Sequence, residues 1–237
     1  MESGRESSAN HLLRALPPDV SERFEAQLEV LDIELRHSVY EPDRPSEYVY
    51  FPLSGIISIH KKMRDGVAVE VATIGNEGMV GLEIFLGGEQ TPASAFCQIA
   101  GRAARIGAAA FREAVRDSAP LTALLLRYTQ AVLTQIAQSA ACNRMHSIDE
   151  RCARWLLMTH DRVGGDRFEL TQEFLAEMLG VRRPSVSIAA GILQRAGFIR
   201  YSRGRVEVID RTGLESAACE CYAVIAREYE RLIGAPS

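Results

Sequence analysis

From Leu121 to Cys142 the positions Leu121, Leu125, Tyr128, Val132, Gln135, Ser139 and Cys142 follow one another at steps of four and three. That spacing keeps one stripe on one face of an α-helix, and repeated in sevens it is the seam of a left-handed coiled coil. At 1.5 Å of rise per residue, such a helix reaches roughly 40 Å, more than the diameter of a small domain. It must either lie across its own domain or pair with a copy of itself. The expectation is a dimerisation helix over residues 118–146 in a parallel homodimer, with Leu121, Leu125, Tyr128, Val132, Ser139 and Cys142 at the contact. Two copies of Cys142 would then meet across the axis, as a redox pair or, more commonly for a buried thiol, as apolar packing.

The chain differs in texture on the two sides of this helix. Residues 1–28 read as a polar tail, fraying to about residue 11, and two short helices between Leu12 and Leu28 that meet at Pro17-Pro18, where proline interrupts a helical run. Residues 29–117 hold short segments rich in Val, Ile, Tyr and Phe between Gly, Pro, Asp and Asn, such as Tyr48-Val-Tyr-Phe, Gly55-Ile-Ile-Ser-Ile-His and Ala95-Phe-Cys-Gln-Ile. Short strands at this spacing predict an antiparallel jelly roll, a β-roll, with Asp65-Gly66 as a hairpin turn. Gly75, Gly78, Gly81, Gly87 and Gly88 crowd one stretch; they read as bends and turns or, less commonly, as backbone approached by a ligand.

Composition excludes several classes. Of 237 residues 47 % are apolar and 24 % charged, an ordinary globular mixture. No window offers the roughly 18 apolar residues of a membrane span, and Met1-Glu-Ser-Gly-Arg-Glu has no export core, so a cytoplasmic protein without membrane contact is expected. Five cysteines without a C-x-x-C pair indicate neither a disulfide framework nor a zinc module, and no cofactor or metal is expected. Cys219 and Cys221, read on one C-terminal helix over residues 212–237, would point to different faces and share no ion.

Residues 147–211 carry the function. Ser147-Ile-Asp-Glu150 is a capping box opening a helix on which Cys152 and Trp155 face a core. Thr171 then caps a helix reaching Gly180, and a second helix begins near Arg182-Arg183-Pro184, with proline tolerated in a first turn. Ala176, Gly180 and Val186 have steric roles in a helix-turn-helix: close crossing, a left-handed turn, and a core contact. Phe198-Ile-Arg-Tyr201 and Arg205-Val-Glu-Val-Ile209 form a wing across Ser202-Arg203-Gly204. Residues 182–211 hold seven arginines against Glu207 and Asp210, a local +5 in a chain of net charge −4. A segregated basic module suits phosphate-directed binding.

With these elements the chain from about Leu12 to Asp210 resembles bacterial transcription regulators of the CRP/FNR superfamily. The resemblance lies in Tyr40-Glu-Pro, Val49-Tyr-Phe-Pro-Leu-Ser-Gly55, Gly75-Asn-Glu-Gly-Met-Val-Gly81, Arg151-Cys-Ala-Arg-Trp-Leu156 and the helix-turn-helix. It implies an α+β protein: an N-terminal β-roll effector domain of cyclic-nucleotide-binding type, a long dimerisation helix and a C-terminal winged helix-turn-helix. It also implies a homodimer on a palindromic double-stranded DNA operator, with RNA polymerase as a further partner. Base-reading positions fall at Arg183, Pro184, Ser185 and Ile188, and Thr171, Gln172, Arg203 and Arg205 would meet phosphates. Arg182 and Ser187 join the DNA-binding set by position. Family members usually carry Glu at Pro184 and often Arg at Ile188, which implies a different operator here.

The sensor departs from the family. Cyclic-nucleotide binders use a Glu for the ribose and an Arg-Ser pair for the phosphate, where this chain has Leu82 and Pro92-Ala93; their adenine contacts from the long helix fall at Ile136 and Ala137. Oxygen sensors carry an N-terminal cysteine cluster, whereas Cys97 is the first cysteine here. The chain is therefore expected to belong to a subgroup without either site, answering an unknown small-molecule effector or none. No nucleophile–base pair suggests an enzyme. The alternative is a small-molecule-binding regulatory module acting through protein contacts.

Overall fold

The structure, a computed structural model, describes residues 9–64 and 68–234. Two short helices, α1 (His11–Arg14) and α2 (Pro18–Glu25), meet at the expected proline break. Fraying up to residue 11 is overturned at Asn10, which is fully buried. Its Oδ1 accepts from the Leu13 amide, and its Nδ2 donates to the carbonyls of Pro52 and Gly78 at 2.8 and 2.9 Å. A side-chain amide with these partners is stable inside.

Two antiparallel sheets follow. One has the order β1 (Glu29–Ile33), β7 (Gly101–Gly107), β3 (Tyr48–Pro52). The other runs β2 (Ser38–Tyr40), β6 (Ser94–Ile99), β4 (Ile56–Lys62), β5 (Ala68–Ile74). Ile33, Tyr40, Tyr50, Ile57, Ile74 and Val80 pack together as a core of this β-roll. Asp65-Gly66 lies outside the described residues, between the paired β4 and β5. A short α3 (Leu82–Phe85) starts at Gly81, whose φ of 108° suits glycine. Gly75 and Gly78 are small for another reason. A Cβ on Gly75 would lie 2.6 Å from Cγ of Arg162, and one on Gly78 2.4 Å from the Tyr128 hydroxyl oxygen. These glycines admit the chain's own side chains.

Helix α4 (Ala108–Asp117) leads to the long α5 (Ala119–Met145), capped by Ser118 Oγ accepting from the Leu121 amide. The expected seam does not face outward. Leu121, Leu125, Tyr128 and Val132 are buried in a cluster with Phe24, Phe111, Met79 and Leu232 of the same chain. The Tyr128 hydroxyl donates to the Met79 carbonyl at 2.7 Å and accepts from its amide at 3.0 Å. Cys142 is buried beside Cys219 and Cys221, and Ser139 is half-buried. The 4,3 pattern marked an apolar face correctly, but the C-terminal helix and the roll cover it. The face left open carries Leu126, Leu133 and Ile136, 57, 62 and 39 % exposed.

His146 is extended (φ −104°, ψ 151°), and Ser147 with Glu150 completes the capping box of α6 (Ile148–Val163). The expected single C-terminal helix is instead α9 (Arg211–Ala217) and α10 (Cys221–Ile233), separated where Ala218 turns extended. Between them and α6 lie β8 (Arg167–Glu169), α7 (Gln172–Leu179), α8 (Arg183–Arg195), β9 (Ile199–Ser202) and β10 (Arg205–Val208), in a sheet of order β8-β10-β9. Trp155, Leu156, Leu175, Val186, Leu193 and Val206 share the core of this second lobe.

The second lobe sits against the roll through polar contacts as well as apolar ones. Arg162 of α6 donates to Glu77 Oε1 from Nε and Nη2 at 2.9 and 2.7 Å. Trp155 Nε1 donates to Glu70 Oε1 at 3.1 Å, and Ser58 Oγ donates to Glu70 Oε2. Phe174 of α7 meets Phe96 edge-on, centroids 6.3 Å apart.

Candidate nucleic-acid interface

The basic module is built from short-range sequence instructions. Thr171 Oγ1 accepts from the Phe174 amide and caps α7. Gly180 ends α7 with φ 63°, the left-handed turn that admits glycine without strain. Pro184 sits in the first turn of α8, where no helical hydrogen bond is lost. Ala176, Val186, Ala189 and Leu193 are buried between the two helices and the lobe's core. Their burial turns Arg183, Pro184, Ser187 and Ile188 to solvent, Ile188 at 65 % exposed and Ile192 at 40 %. Large apolar side chains held outward on a helix that also carries arginines suit contact with thymine methyls beside guanine edges.

The wing turns tightly. Ser202 pairs with Arg205, leaving Arg203 and Gly204 as the two loop residues with φ of 51° and 75°. Positive φ at both makes a type I′ hairpin, whose twist matches the strands. Arg203 and Arg205 are exposed at the tip.

Not every arginine of the module is available to a ligand. Arg200 and Arg167 both clasp Glu207, whose carboxyl is held below the usual range by the Arg167 hydrogen bond and the two guanidinium charges. Arg211 is tied to Asp161, Glu215 and Tyr222, behind the wing. Arg183 pairs with Glu173 at 2.9 Å and Arg205 with Glu169 at 3.5 Å, all four side chains more than 60 % exposed. Such exposed pairs are worth little and yield readily to a phosphate or a base. Ser187 Oγ donates to Gln172 Oε1 at 2.6 Å, joining a position on α8 to one on α7. Arg182 and Ser185 stand at the start of α8, exposed and half-buried respectively. Thr171, Gln172, Arg182, Arg183, Pro184, Ser185, Ser187, Ile188, Arg203 and Arg205 thus all lie on α7 or α8, at their N-caps (Thr171 and Arg182, both exposed) or at the wing tip.

At the sensor, Leu82 opens α3 half-buried, and Ile136 and Ala137 lie on the open face of α5. The interaction between the lobes escaped sequence reading altogether. Glu70, Glu77 and Arg162 are scattered polar residues whose only signal was the glycine at 75, and His60 nearby is 2 % exposed. Burial lowers the His60 pKa to about 4, so the imidazole stays neutral beside Ser58.

Comparison with known proteins agrees with this architecture. Residues 32–118 match the family model of the cyclic nucleotide-binding domain, and residues 150–217 match that of the Crp-like helix-turn-helix domain. A CRP-like cAMP-activated global transcriptional regulator of Mycobacterium tuberculosis (strain H37Rv) is 26 % identical over 215 residues, covering 87 % of this chain and 96 % of that protein. FixK2 from Bradyrhizobium japonicum superposes with a TM-score of 0.70 at 19 % identity, over 81 % of this chain and 98 % of that one. The c-di-GMP responsive regulator CLP of Xanthomonas campestris superposes with a TM-score of 0.64 at 18 % identity, over 81 and 99 %. Among the described residues no helix is long and apolar enough to cross a membrane. A roll of cyclic nucleotide-binding type, a long helix and a winged helix-turn-helix follow one another in the order of a CRP-like DNA-binding transcription regulator.

Proposed function

We propose that two copies of this chain form a cytoplasmic homodimer that reads a palindromic operator, each α8 entering one major groove, and that works with RNA polymerase. The observation that carries this reading is the outward face of α8, where Arg183, Ser187 and Ile188 are held exposed by the buried Val186, Ala189 and Leu193. The dimer contact belongs on the open face of α5, at Leu126, Leu133 and Ile136, since the other apolar stripe is already covered. Leu126 and Leu133 stand seven residues apart, one heptad.

The sensor does not take cyclic AMP. The Mycobacterium relative is named as cAMP-activated, but Leu82 and Pro92-Ala93 here offer neither a ribose acceptor nor a guanidinium for the cyclic phosphate, whose desolvation would go uncompensated. A hollow of about 230 Å³ outside the roll, with Met158, Ile225 and Tyr229 on its apolar side and Glu77, Asp161 and Arg162 on its polar edge, is the place for a small, mostly apolar effector with a polar end.

Binding isotherms at several salt concentrations, on operator and scrambled duplexes, test the reading of bases. Arg183→Ala is expected to cost roughly 1–3 kcal/mol on the operator and far less on scrambled DNA; Arg205→Ala is expected to weaken both alike and lower the salt slope by about one. Equal loss on both duplexes for Arg183→Ala would make Arg183 a phosphate clamp, with specificity left to the serines or to DNA shape.

A further inference from the structure

The break between α9 and α10 removes the geometric objection to a shared ligand for Cys219 and Cys221. Cys219 lies in the non-helical link, and Cys221 is the first residue of α10. Both therefore turn toward the C-terminal end of α5, where Cys142 and His146 stand one helical turn apart. Cys142 Sγ lies 3.5 Å from Cys219 Sγ, and Cys221 Sγ lies 3.6 Å from His146 Nδ1. All four ligand atoms fall within 4.8 Å of one another. A tetrahedral ion with metal–sulfur bonds of about 2.3 Å spaces its ligand atoms by about 3.8 Å, so this cluster has the size of one coordination sphere. It is too tight to enclose a multi-iron cluster, whose irons and sulfides must fit between the thiolates.

Packing alone does not explain the arrangement. A thiol buried as a small apolar residue needs no particular neighbour, yet three thiols and an imidazole nitrogen converge here. The imidazole is also oriented: its Nε2 lies 3.0 Å from Glu220 Oε2, leaving Nδ1 directed at the sulfurs. A carboxylate behind the remote nitrogen is how ligating histidines are held. Gln138 Nε2 donates to Cys221 Sγ at 3.1 Å.

We propose that Cys142, His146, Cys219 and Cys221 form a tetrahedral site for a single zinc-class divalent ion, with Glu220 orienting the imidazole. On binding, the three thiols release their protons to solvent, and three thiolates with one divalent ion leave a centre of charge −1. The ion ties the end of α5 to the α9–α10 link beside the extended His146, where the chain passes from the long helix into the DNA-binding lobe. Its role is to fix that passage.

The test is metal analysis of the full-length, tag-free chain purified in reductant, with cobalt substitution read by absorption. About one zinc per chain is expected, together with tetrahedral cobalt bands and thiolate-to-cobalt charge transfer after exchange. Cys219→Ser and Cys221→Ser should lose the metal at least tenfold, whereas Cys97→Ser and Cys152→Ser should retain it. Glu220→Gln should weaken affinity about 10–100-fold. Should the serine variants fail to fold, His146→Cys keeps four ligands, and retained cobalt with stronger charge transfer is expected. The proposal is overturned by a metal-free chain that takes up neither zinc nor cobalt, by metal retained in Cys219→Ser, by several irons per chain with sulfide, or by a Cys142–Cys219 disulfide in the reduced preparation.

Discussion

Glu70 and Arg162 connect the two lobes by opposite electrostatic means. Burial pushes the Glu70 carboxyl up to about 7, against hydrogen bonds from Ser58 and Trp155 and the fields of Arg162 and Arg154. A carboxyl that holds its proton more tightly in the folded protein stabilises it fully below the unfolded value near 4.5 and loses that contribution as pH rises through 7. Glu70→Gln keeps the neutral form at every pH. Its stability relative to the native chain should therefore rise between about pH 5 and 8 in thermal unfolding, and a flat difference would show that Glu70 is not held protonated. His60, neutral in both proteins, leaves the comparison intact. Burial also acts to raise Glu77, but the Arg162 charge and hydrogen bonds outweigh it and hold the carboxyl ionised. Arg162→Ala strands that charge and should cost about 3–5 kcal/mol in urea unfolding. Neither carboxylate was legible in the sequence, because nothing local marks a polar side chain whose partner lies some 85 positions away.

Among the elements, those governed by local rules were legible: the Ser147 capping box, the Gly180 turn, Pro184 in a first turn and the wing turn, read over Ser202-Arg203-Gly204 and one residue shorter in the structure, where Ser202 joins the strand. Each follows from the backbone preference of a few adjacent residues. The long helix shows where this stops. Its 4,3 stripe is a true apolar face, but periodicity does not say which surface covers it, and α10 was the unforeseen neighbour. The correction can be measured. Leu126→Asp with Leu133→Asp should give folded monomers in sedimentation with weakened operator binding, since these side chains are open in the single chain. Leu125→Asp with Val132→Asp should instead unfold the protein, because each carboxylate would be buried without a partner. Folded monomers from the second pair, and unchanged dimers from the first, would return the contact to the original stripe. Cys219 and Cys221 were misread in the same way, through a helix drawn across a break at Ala218.

At the scale of the whole molecule, the roll, the long helix and the winged lobe are joined through the passage at His146 and through the Glu70 and Glu77 contacts, so a ligand bound at these joins would act on both lobes. Cyclic AMP should not be such a ligand: calorimetric titration is expected to show no micromolar binding, and micromolar affinity would mean that other groups replace the missing acceptor and guanidinium. Whether two copies read DNA together is decided by selecting duplexes from a random pool on the full-length chain. The expected product is a palindrome whose half-site centres lie about 34 Å apart, one turn of the duplex or a multiple of it. Enrichment of a solitary, asymmetric site, or of no sequence at all, would contradict a paired reader built on the exposed faces of α5 and α8.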